Sequence, residues 1–319
     1  MMSTTTSTEM LQYTDTIMMI RPVRFRMNEQ TAVNNYYQTE IDDLNAKEIQ
    51  RKAVAEFDAF VEKLQANHIN VLVIEDTIEP STPDSIFPNN WVSFHSEGSI
   101  GLYPMFAENR RLERRLDILE RLKEDFIVTE IVDFSEVEFD GQFLEGTGSM
   151  VLDRPNKLVY AALSVRTQEP VLNEFCRKFG YEAMSFVAYQ SVENERLPIY
   201  HTNVMMCVAD RYAIVCTDSI DDEQEKTFVI DRLEKSGKEV IAISEEQNSN
   251  FAGNMLQVAS TDGKLFLVMS GSAYNTLTAE QIKKIEKYNP IIHSPIDTIE
   301  SLGGGSARCM MAEIFLPKK

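Results

Sequence analysis

Short strand-like segments alternate with amphipathic helices from one end of the chain to the other, and this alternation restricts the possible folds most. Segment 45–68 has apolar residues at helical spacing, and the apolar run INVLVI over 69–74 follows it as a buried strand. The first strand is predicted over 16–20. Further strands are predicted over 93–103, 144–160, 204–208, 212–216, 240–243, 255–259, 265–269 and 310–316, and further helices over 110–126, 169–180, 221–238 and 278–288. This pattern predicts an α/β protein of roughly five strand-pair-plus-helix units, each about 50–65 residues long.

The domain organisation follows from length and composition. The chain has 319 residues, which allows two domains or one large repeated unit. No linker rich in Pro, Gly or Ser separates two halves, so we predict a single domain over 16–319. The Ser- and Thr-rich segment 1–15 is predicted to be a disordered tail, and it lacks the basic and apolar regions of a secretory signal.

The charge balance excludes several classes of partner. Asp and Glu outnumber Lys and Arg by 50 to 31, which gives a formal net charge of −19. Such a surface repels phosphate backbones and anionic lipids, so we expect neither a nucleic-acid nor a membrane partner. No apolar run approaches the roughly 18–20 residues of a membrane helix, and a reducing cytoplasm is the expected location. The four cysteines lack CxxC spacing, so no zinc ribbon or other metal site is predicted.

The most unusual segment is the run from Gly303 to Gly305, which is followed by Cys309 near the end of the chain. Consecutive glycines expose backbone N–H groups and allow a ligand or a strand to approach closely. A thiolate at the rim of such a loop is favoured by nearby amide dipoles or a helix N-terminus. The alternatives are a buried structural thiol and a phosphate cradle, although the Lys-Ser/Thr ending of a P-loop is missing.

Polar side chains elsewhere could belong to the same site. His201 and Asn203 precede a predicted strand, where alternation would place them on one side, and Glu145 lies between apolar residues and glycines. Arg166 ends a strand and could bind a carboxylate in bidentate fashion, whereas a surface arginine is the alternative. Segment 87–91 places two amides beside the only tryptophan, which also suits an ordinary turn. Segment 249–254 is interpreted as a solvated loop or as part of a lid.

Read in order, these segments resemble the guanidino-group-modifying superfamily, the pentein fold of arginine deiminases and dimethylarginine hydrolases. The motifs are FPNNWVSFH from Phe87, FLEGTG around Glu145, LSVRT around Arg166, YHTNV from Tyr200 and GGGSARCMMAE from Gly303. They are most similar to the citrulline-utilising hydrolase branch.

The resemblance implies a five-bladed, pseudo-symmetric α/β propeller of ββαβ modules with the active site at its centre. It assigns Cys309 as the nucleophile, His201 as the general acid and base, and Glu145 as its acidic partner. Arg166 corresponds to the arginine that binds the substrate carboxylate, and Phe87 lies in the substrate-binding motif. Neither a metal nor an organic cofactor is implied, and the expected partner is a small amino acid, with a homodimer left open.

Two departures from the family pattern indicate the substrate. Arginine deiminases carry aspartates where this chain has Asn90 and Asn203, and an arginine where it has Asn89. An amide suits an uncharged partner, because it donates to a carbonyl oxygen and accepts from an N–H. We therefore expect hydrolysis of the ureido group of L-citrulline to L-ornithine, carbon dioxide and ammonia through a covalent cysteine adduct. The alternatives are an arginine deiminase-type hydrolase, an amidinotransferase and a non-catalytic binding protein. In addition, Thr147 replaces the second glycine of the family's E-G-G motif.

Overall fold

The computed structural model describes residues 10–39 and 45–319, which form seventeen strands, twelve α-helices and three 3-10 helices. The strands are β1 (Thr16–Arg21), β2 (Asn70–Glu75), β3 (Val92–Phe94), β4 (Ser99–Leu102), β5 (Glu130–Asp133), β6 (Val151–Asp153), β7 (Leu158–Ala162), β8 (Glu182–Phe186), β9 (Tyr189–Val192), β10 (Glu195–Pro198), β11 (Met206–Val208), β12 (Tyr212–Val215), β13 (Glu239–Ala242), β14 (Leu256–Ala259), β15 (Leu265–Ser270), β16 (Ile291–Ser294) and β17 (Ala312–Glu313). The helices are α1 (Glu29–Ala32), α2 (Ala46–Ala66), α3 (Glu108–Arg111), α4 (Leu116–Asp125), α5 (Gly146–Ser149), α6 (Glu169–Phe179), α7 (Thr202–Met205), α8 (Glu223–Lys235), α9 (Glu245–Ser249), α10 (Gly271–Thr276), α11 (Ala279–Glu286) and α12 (Asp297–Gly303). The 3-10 helices are Pro88–Asn90, Ser135–Asp140 and Thr217–Ser219.

Five three-stranded sheets share one topology. Their strand orders are β17-β1-β2, β3-β4-β5, β6-β7-β8, β11-β12-β13 and β14-β15-β16. In each sheet the first pair is antiparallel and the second pair is parallel. The parallel strands are joined by α2, α4, α6, α8 or α11, because a parallel connection requires a crossover. The C-terminal strand β17 completes the first sheet by pairing with β1. The α/β class is thereby confirmed, whereas the circular arrangement of the units stays a prediction.

Helix α2 shows how the sequence determines the connecting helix of one such unit. Asn45 caps its N-terminus in a capping box with Glu48. Phe57, Phe60 and Leu64 recur at helical spacing and are fully buried in a core that they share with strand β1. Burial of each phenylalanine stabilises the fold by about 2 kcal/mol.

Several local predictions were wrong. The helix predicted over 110–126 is divided into α3 and α4, and segment 144–150 contains the helical turn α5 instead of a strand. The hairpin β9-β10 and helix α12 were not predicted at all. Helix α12 matters most, because it places the glycine run at its C-terminus.

Part of the predicted disordered tail is ordered. Residues 1–9 lie outside the described residues, but Gln12 is buried and makes three hydrogen bonds. Its amide nitrogen donates to the carbonyl oxygens of Leu152 and Val208, and its oxygen accepts from the Arg154 backbone N–H, each at 2.8 Å. It thus joins the first strands of two sheets, β6 and β11. That 16–319 form a single domain stays a prediction.

No helix within residues 10–39 and 45–319 has the length and apolar character needed to span a membrane. The expected cytoplasmic location stays a prediction. All four cysteines are buried and free.

Candidate functional site

One cavity brings together most of the residues that the sequence singled out. It is lined by Asn35, Asp84, Phe87, Asn90, Arg110, Arg166, Tyr200, His201, Gly303, Gly304, Gly305 and Cys309. Residues that are far apart in sequence meet here because the connections before β3, β11 and β17 and the connections after β4 and β7 converge on one place.

The sulfur of Cys309 lies against two amides. Cys309 follows α12, and its backbone N–H donates to the Ser306 carbonyl oxygen at 3.0 Å. Its Sγ accepts from Nδ2 of Asn254 at 3.3 Å and from Nδ2 of Asn203 at 3.5 Å. The residue is only 3% exposed, so a ligand reaches the sulfur through the cavity.

The glycine run makes room for packing and does not form an exposed cradle of amides. Gly303 ends α12, and Gly304 adopts a left-handed conformation with φ of 61°. A Cβ at Gly303 would lie 2.7 Å from the Phe87 ring, and one at Gly305 would lie 2.9 Å from it. The absent side chains therefore let the ring of Phe87 lie against the backbone beside the cavity.

His201 and Glu145 form a buried pair. Nε2 of His201 lies 2.7 Å from Oε2 of Glu145, whose Oε1 accepts the Phe106 backbone N–H at 2.8 Å. Burial would raise the pKa of Glu145, but Arg166 and His201 together lower it to about 2. A carboxylate can only accept, so we assign the proton to Nε2 of His201 and a lone pair to its Nδ1.

Burial also controls the charge of the histidine. It lowers the pKa of His201 to about 4, although Glu145 acts in the opposite direction. The imidazole is therefore neutral near pH 7 and can accept a proton. Glu145 lies where it would stabilise the resulting imidazolium.

The prediction that His201 and Asn203 project from one strand was wrong. His201 is the N-cap of α7, and Asn203 lies within that helical turn. Both side chains still reach the site, because the turn immediately precedes β11. The oxygen of Asn203 lies 3.9 Å from Cys309 Sγ, so either end of its amide is near the sulfur.

Arg110 sets the orientation of Asn90. Nη1 of Arg110 donates to Oδ1 of Asn90 at 2.9 Å. A guanidinium can only donate, so this contact requires the oxygen of the amide to face Arg110. The opposite end, Nδ2, is buried and has no hydrogen-bond partner within the described ranges. A Cβ at Gly148 would overlap this nitrogen and lie 2.9 Å from Nδ1 of His201. The free amide donor and the histidine lone pair are therefore neighbours.

Asn89 is not brought to the cavity. Its side chain is fully buried, and its amide nitrogen and oxygen have no partner in the part of the chain that the structure describes. Its backbone oxygen accepts from the Thr147 hydroxyl at 3.3 Å. Thr147 is thus accommodated in the loop. A side chain at Gly146 would collide with the backbone of Asn89 and Asn90, and one at Gly148 would collide with the Asn90 side chain.

Arg166 lines the cavity with its guanidinium already engaged. Its Nε donates to Oδ1 of Asn34 at 3.0 Å, Nη2 donates to the Thr31 carbonyl oxygen at 3.0 Å, and Nη1 lies 3.6 Å from Glu145 Oε2. Arg166 also lies over the Tyr200 ring at 4.8 Å. A substrate carboxylate would need to replace Asn34 as the acceptor.

Sequence reasoning missed three residues, Asp84, Arg110 and Asn254, whose side chains line the cavity or contact Cys309. Oδ2 of Asp84 accepts from Asn28 and Thr31, whereas its Oδ1 is buried without a hydrogen-bond partner in residues 10–39 and 45–319. Asp84 lies three residues before the FPNN motif, but no spacing rule indicated that its side chain turns inward.

A family comparison agrees with this geometry. The family model described as N,N-dimethylarginine dimethylhydrolase, eukaryotic, matches residues 21–316. The chain belongs to this family. A search of curated protein sequences gave no match. The description of this family agrees with the predicted class, an enzyme that hydrolyses guanidino-type carbon–nitrogen bonds.

Solved structures share the fold of this family member. Apo ArgZ, an arginine dihydrolase from the ornithine–ammonia cycle in cyanobacteria, matches with a TM-score of 0.73 and 16% identity, over 95% of this chain and 41% of that one. The substrate-bound N-terminal domain of ArgZ matches with a TM-score of 0.72 and 16% identity, over 95% and 98%. A dimethylarginine dimethylaminohydrolase adduct with S-methyl-L-thiocitrulline matches with a TM-score of 0.62 and 13% identity, over 93% and 98%. The chain thus spans 41% of full-length ArgZ. The pentein-type α/β fold is confirmed, and the citrulline-utilising branch stays a prediction.

Proposed function

We propose that this protein hydrolyses the ureido group of L-citrulline, giving L-ornithine, carbon dioxide and ammonia. The single observation that carries the proposal is the orientation of Asn90. Arg110 holds its oxygen, and its amide nitrogen remains as a buried, unpaired donor near His201 among the described residues. A ureido oxygen can accept from that donor, whereas a guanidinium has only N–H groups to offer. Leaving such a donor without an acceptor costs about 1–3 kcal/mol, so the site favours a carbonyl oxygen.

The proposed reaction begins with Cys309 as the nucleophile. His201 accepts the thiol proton while the sulfur forms a bond to the ureido carbon. Asn90 donates to the developing oxyanion. The imidazolium of His201, stabilised by Glu145, then returns the proton to the terminal nitrogen, which leaves as ammonia.

Hydrolysis of the adduct completes the cycle. His201 takes a proton from water, and the resulting hydroxide attacks the thiocarbamate carbon. The bond to Cys309 breaks and the sulfur recovers a proton. The released N-carbamate of ornithine loses carbon dioxide. Asn203, which contacts the sulfur, is proposed to orient the ureido group during both steps.

The α-amino acid end of the substrate has candidate partners in the same cavity. The unpaired Oδ1 of Asp84 is suited to the α-ammonium group, because it is a buried acceptor without a donor in the part of the molecule described. We propose that Arg166 binds the α-carboxylate, which takes the place of Asn34 Oδ1. Phe87 contributes an apolar wall for the methylene groups. No role is proposed for Asn89.

We also propose that the five sheets surround a central axis as in a five-bladed propeller. Support comes from their first strands: β17 packs beside β3, and β11 packs beside both β6 and β14. A circular order would place the cavity where residues from several units meet.

Arginine is a second candidate substrate, because the chain resembles arginine dihydrolase structures and Asp84 offers a free carboxylate oxygen.

The decisive experiment supplies L-citrulline and L-arginine separately to the purified protein and quantifies ornithine, citrulline and ammonia. Ornithine from citrulline alone supports the proposal. Citrulline accumulating from arginine would establish a deiminase, and ornithine with two ammonia molecules from arginine would establish a dihydrolase. The Cys309→Ala variant must lose whichever activity is found.

A further inference from the structure

Two amide side chains, those of Asn203 and Asn254, contact the sulfur of Cys309. Asn254 differs from Asn203 because hydrogen bonds fix the orientation of its amide. Its Oδ1 accepts the backbone N–H of Arg308 at 3.0 Å, and its Nδ2 donates to the carbonyl oxygen of Asn203 at 2.9 Å. Rotating the amide by a half-turn would oppose donor to donor and acceptor to acceptor. Its N–H group is therefore directed at Cys309 Sγ, 3.3 Å away.

The segment that carries Asn254 is fixed by packing. Phe251 has a φ of 62°, and its ring lies 5.0 Å from the ring of Tyr37. A Cβ at Gly253 would overlap backbone atoms of Val204 and Met205, so this loop lies directly on α7. The predicted solvated loop over 249–254 was thus wrong for its second half, since Phe251 and Asn254 are buried.

The sulfur has few other neighbours that could stabilise a negative charge. The titratable and charged groups that line its cavity are Asp84, Arg110, Arg166, Tyr200 and His201. In the described part of the chain none of them is within hydrogen-bonding distance of Sγ, whose partners are the amides of Asn203 and Asn254. Hydrogen bonds to an ionised group are roughly twice as strong as neutral ones, so a fixed amide donor favours the thiolate.

We propose that Asn254 is a positioning residue for the nucleophile: its fixed amide donates to Cys309 Sγ, stabilises the thiolate and directs it toward the cavity. Asn203 lacks a second side-chain partner within the described ranges and remains free to turn toward the substrate. The two amides therefore have different roles. This inference rests on Cys309 being the nucleophile of the proposed function, but it does not depend on which substrate is hydrolysed.

The test is alkylation of Cys309 by iodoacetamide, followed across pH by mass spectrometry of the peptide that contains it. Losing one hydrogen bond to an ionised group corresponds to a rate decrease of roughly 10–100-fold at neutral pH in Asn254→Ala. The midpoint of the alkylation profile should move to higher pH. Where substrate turnover is measurable, kcat should fall with little change in KM. Asn289→Asp, which alters a buried amide outside the cavity, is the matched control.

Asn254→Asp provides a second test if the alanine variant does not fold. It retains the size of the side chain and an acceptor for the Arg308 N–H, but places a carboxylate beside the sulfur. Slower alkylation with a profile displaced to higher pH supports the inference. An unchanged profile in either folded variant would overturn it. Because alkylation needs no substrate, an inactive wild-type protein with an Asn254-dependent profile would refute citrulline hydrolysis alone.

Discussion

Replacing Asn90 by aspartate tests the assignment of the ureido group most directly. In the wild-type protein, Nη1 of Arg110 lies 2.9 Å from Oδ1 of Asn90. The substitution keeps this acceptor oxygen and the size of the side chain. It changes only the other end, where a free N–H donor becomes a carboxylate oxygen. The proposed hydrogen bond to the substrate oxygen is lost, and a negative charge then faces the developing oxyanion.

The expected loss can be worked from these contacts. Removing one donor from an oxyanion site lowers kcat by about 10²–10³-fold. Since the carboxylate also repels the oxyanion, we expect kcat/KM for citrulline to fall by roughly 10³-fold, or about 4 kcal/mol. The new charge near Nδ1 of His201 should also raise the pKa of that residue, which moves the acidic limb of the rate profile to higher pH.

Steady-state release of ornithine and ammonia from pH 5 to 9 measures both effects. Asn289→Asp serves again as the control, because it introduces the same chemical change in a buried amide that bonds Tyr212 and Gln257. A folded Asn90→Asp protein that retains citrulline turnover within threefold of wild type would refute the reasoning. So would a gain of activity on citrulline.

Gly148→Ala should reduce turnover by at least roughly 100-fold, because the new Cβ overlaps Asn90 and lies 2.9 Å from His201, whereas Gly271→Ala, whose Cβ would meet its nearest atom at 3.3 Å, should remain active in the same assay. Gln12→Ala should lower the free energy of unfolding in urea by roughly 3 kcal/mol, since three buried backbone groups lose their partners, and exposed Gln224→Ala should not. Burial lowers the pKa of His201 from 6.5 to about 4, so the folded state binds fewer protons in that window and stability falls as the pH drops. The decrease from this group is about 2 kcal/mol between pH 7 and pH 5, and urea titrations should show a smaller decrease in His201→Asn.

Elements of the fold that are set by local sequence patterns could be predicted, whereas elements that depend on distant contacts could not. Helix α2 was predicted to within two residues at each end, because its apolar spacing and its cap act locally. Helix α12 was not predicted, since its seven residues include a buried glutamate, Glu300, which accepts from Ser272, 28 positions earlier, and from Ser306, just beyond the end of the helix. Short segments whose polar residues turn inward carry no periodic signal.

The same difference between local patterns and long-range contacts applies to the candidate site. Motif order predicted one site for Cys309, His201 and Glu145. In the structure Cys309 and His201 line one cavity and Glu145 bonds His201, while their catalytic roles stay predictions. For His201 the local argument was wrong, since it occupies the N-cap position of a helical turn. Asn254 could not be recognised, because its role depends on a hydrogen bond from Arg308, 54 positions along the chain. Spacing within a segment does not encode such contacts.

The hydrogen-bonding group that the site offers to a substrate therefore depends more on the orientation of each amide than on the residue type. Asn90 could in principle offer either an oxygen or an N–H to the substrate, and the sequence alone leaves this choice open. Arg110 removes the choice, because five donors and no acceptor on its guanidinium can bind only the oxygen. A guanidinium substrate presented to the remaining N–H would meet donor with donor, whereas a ureido oxygen pairs with it. The selectivity argued for this pocket thus depends on Arg110, and changing it to methionine should weaken discrimination between citrulline and arginine by freeing Asn90 to turn.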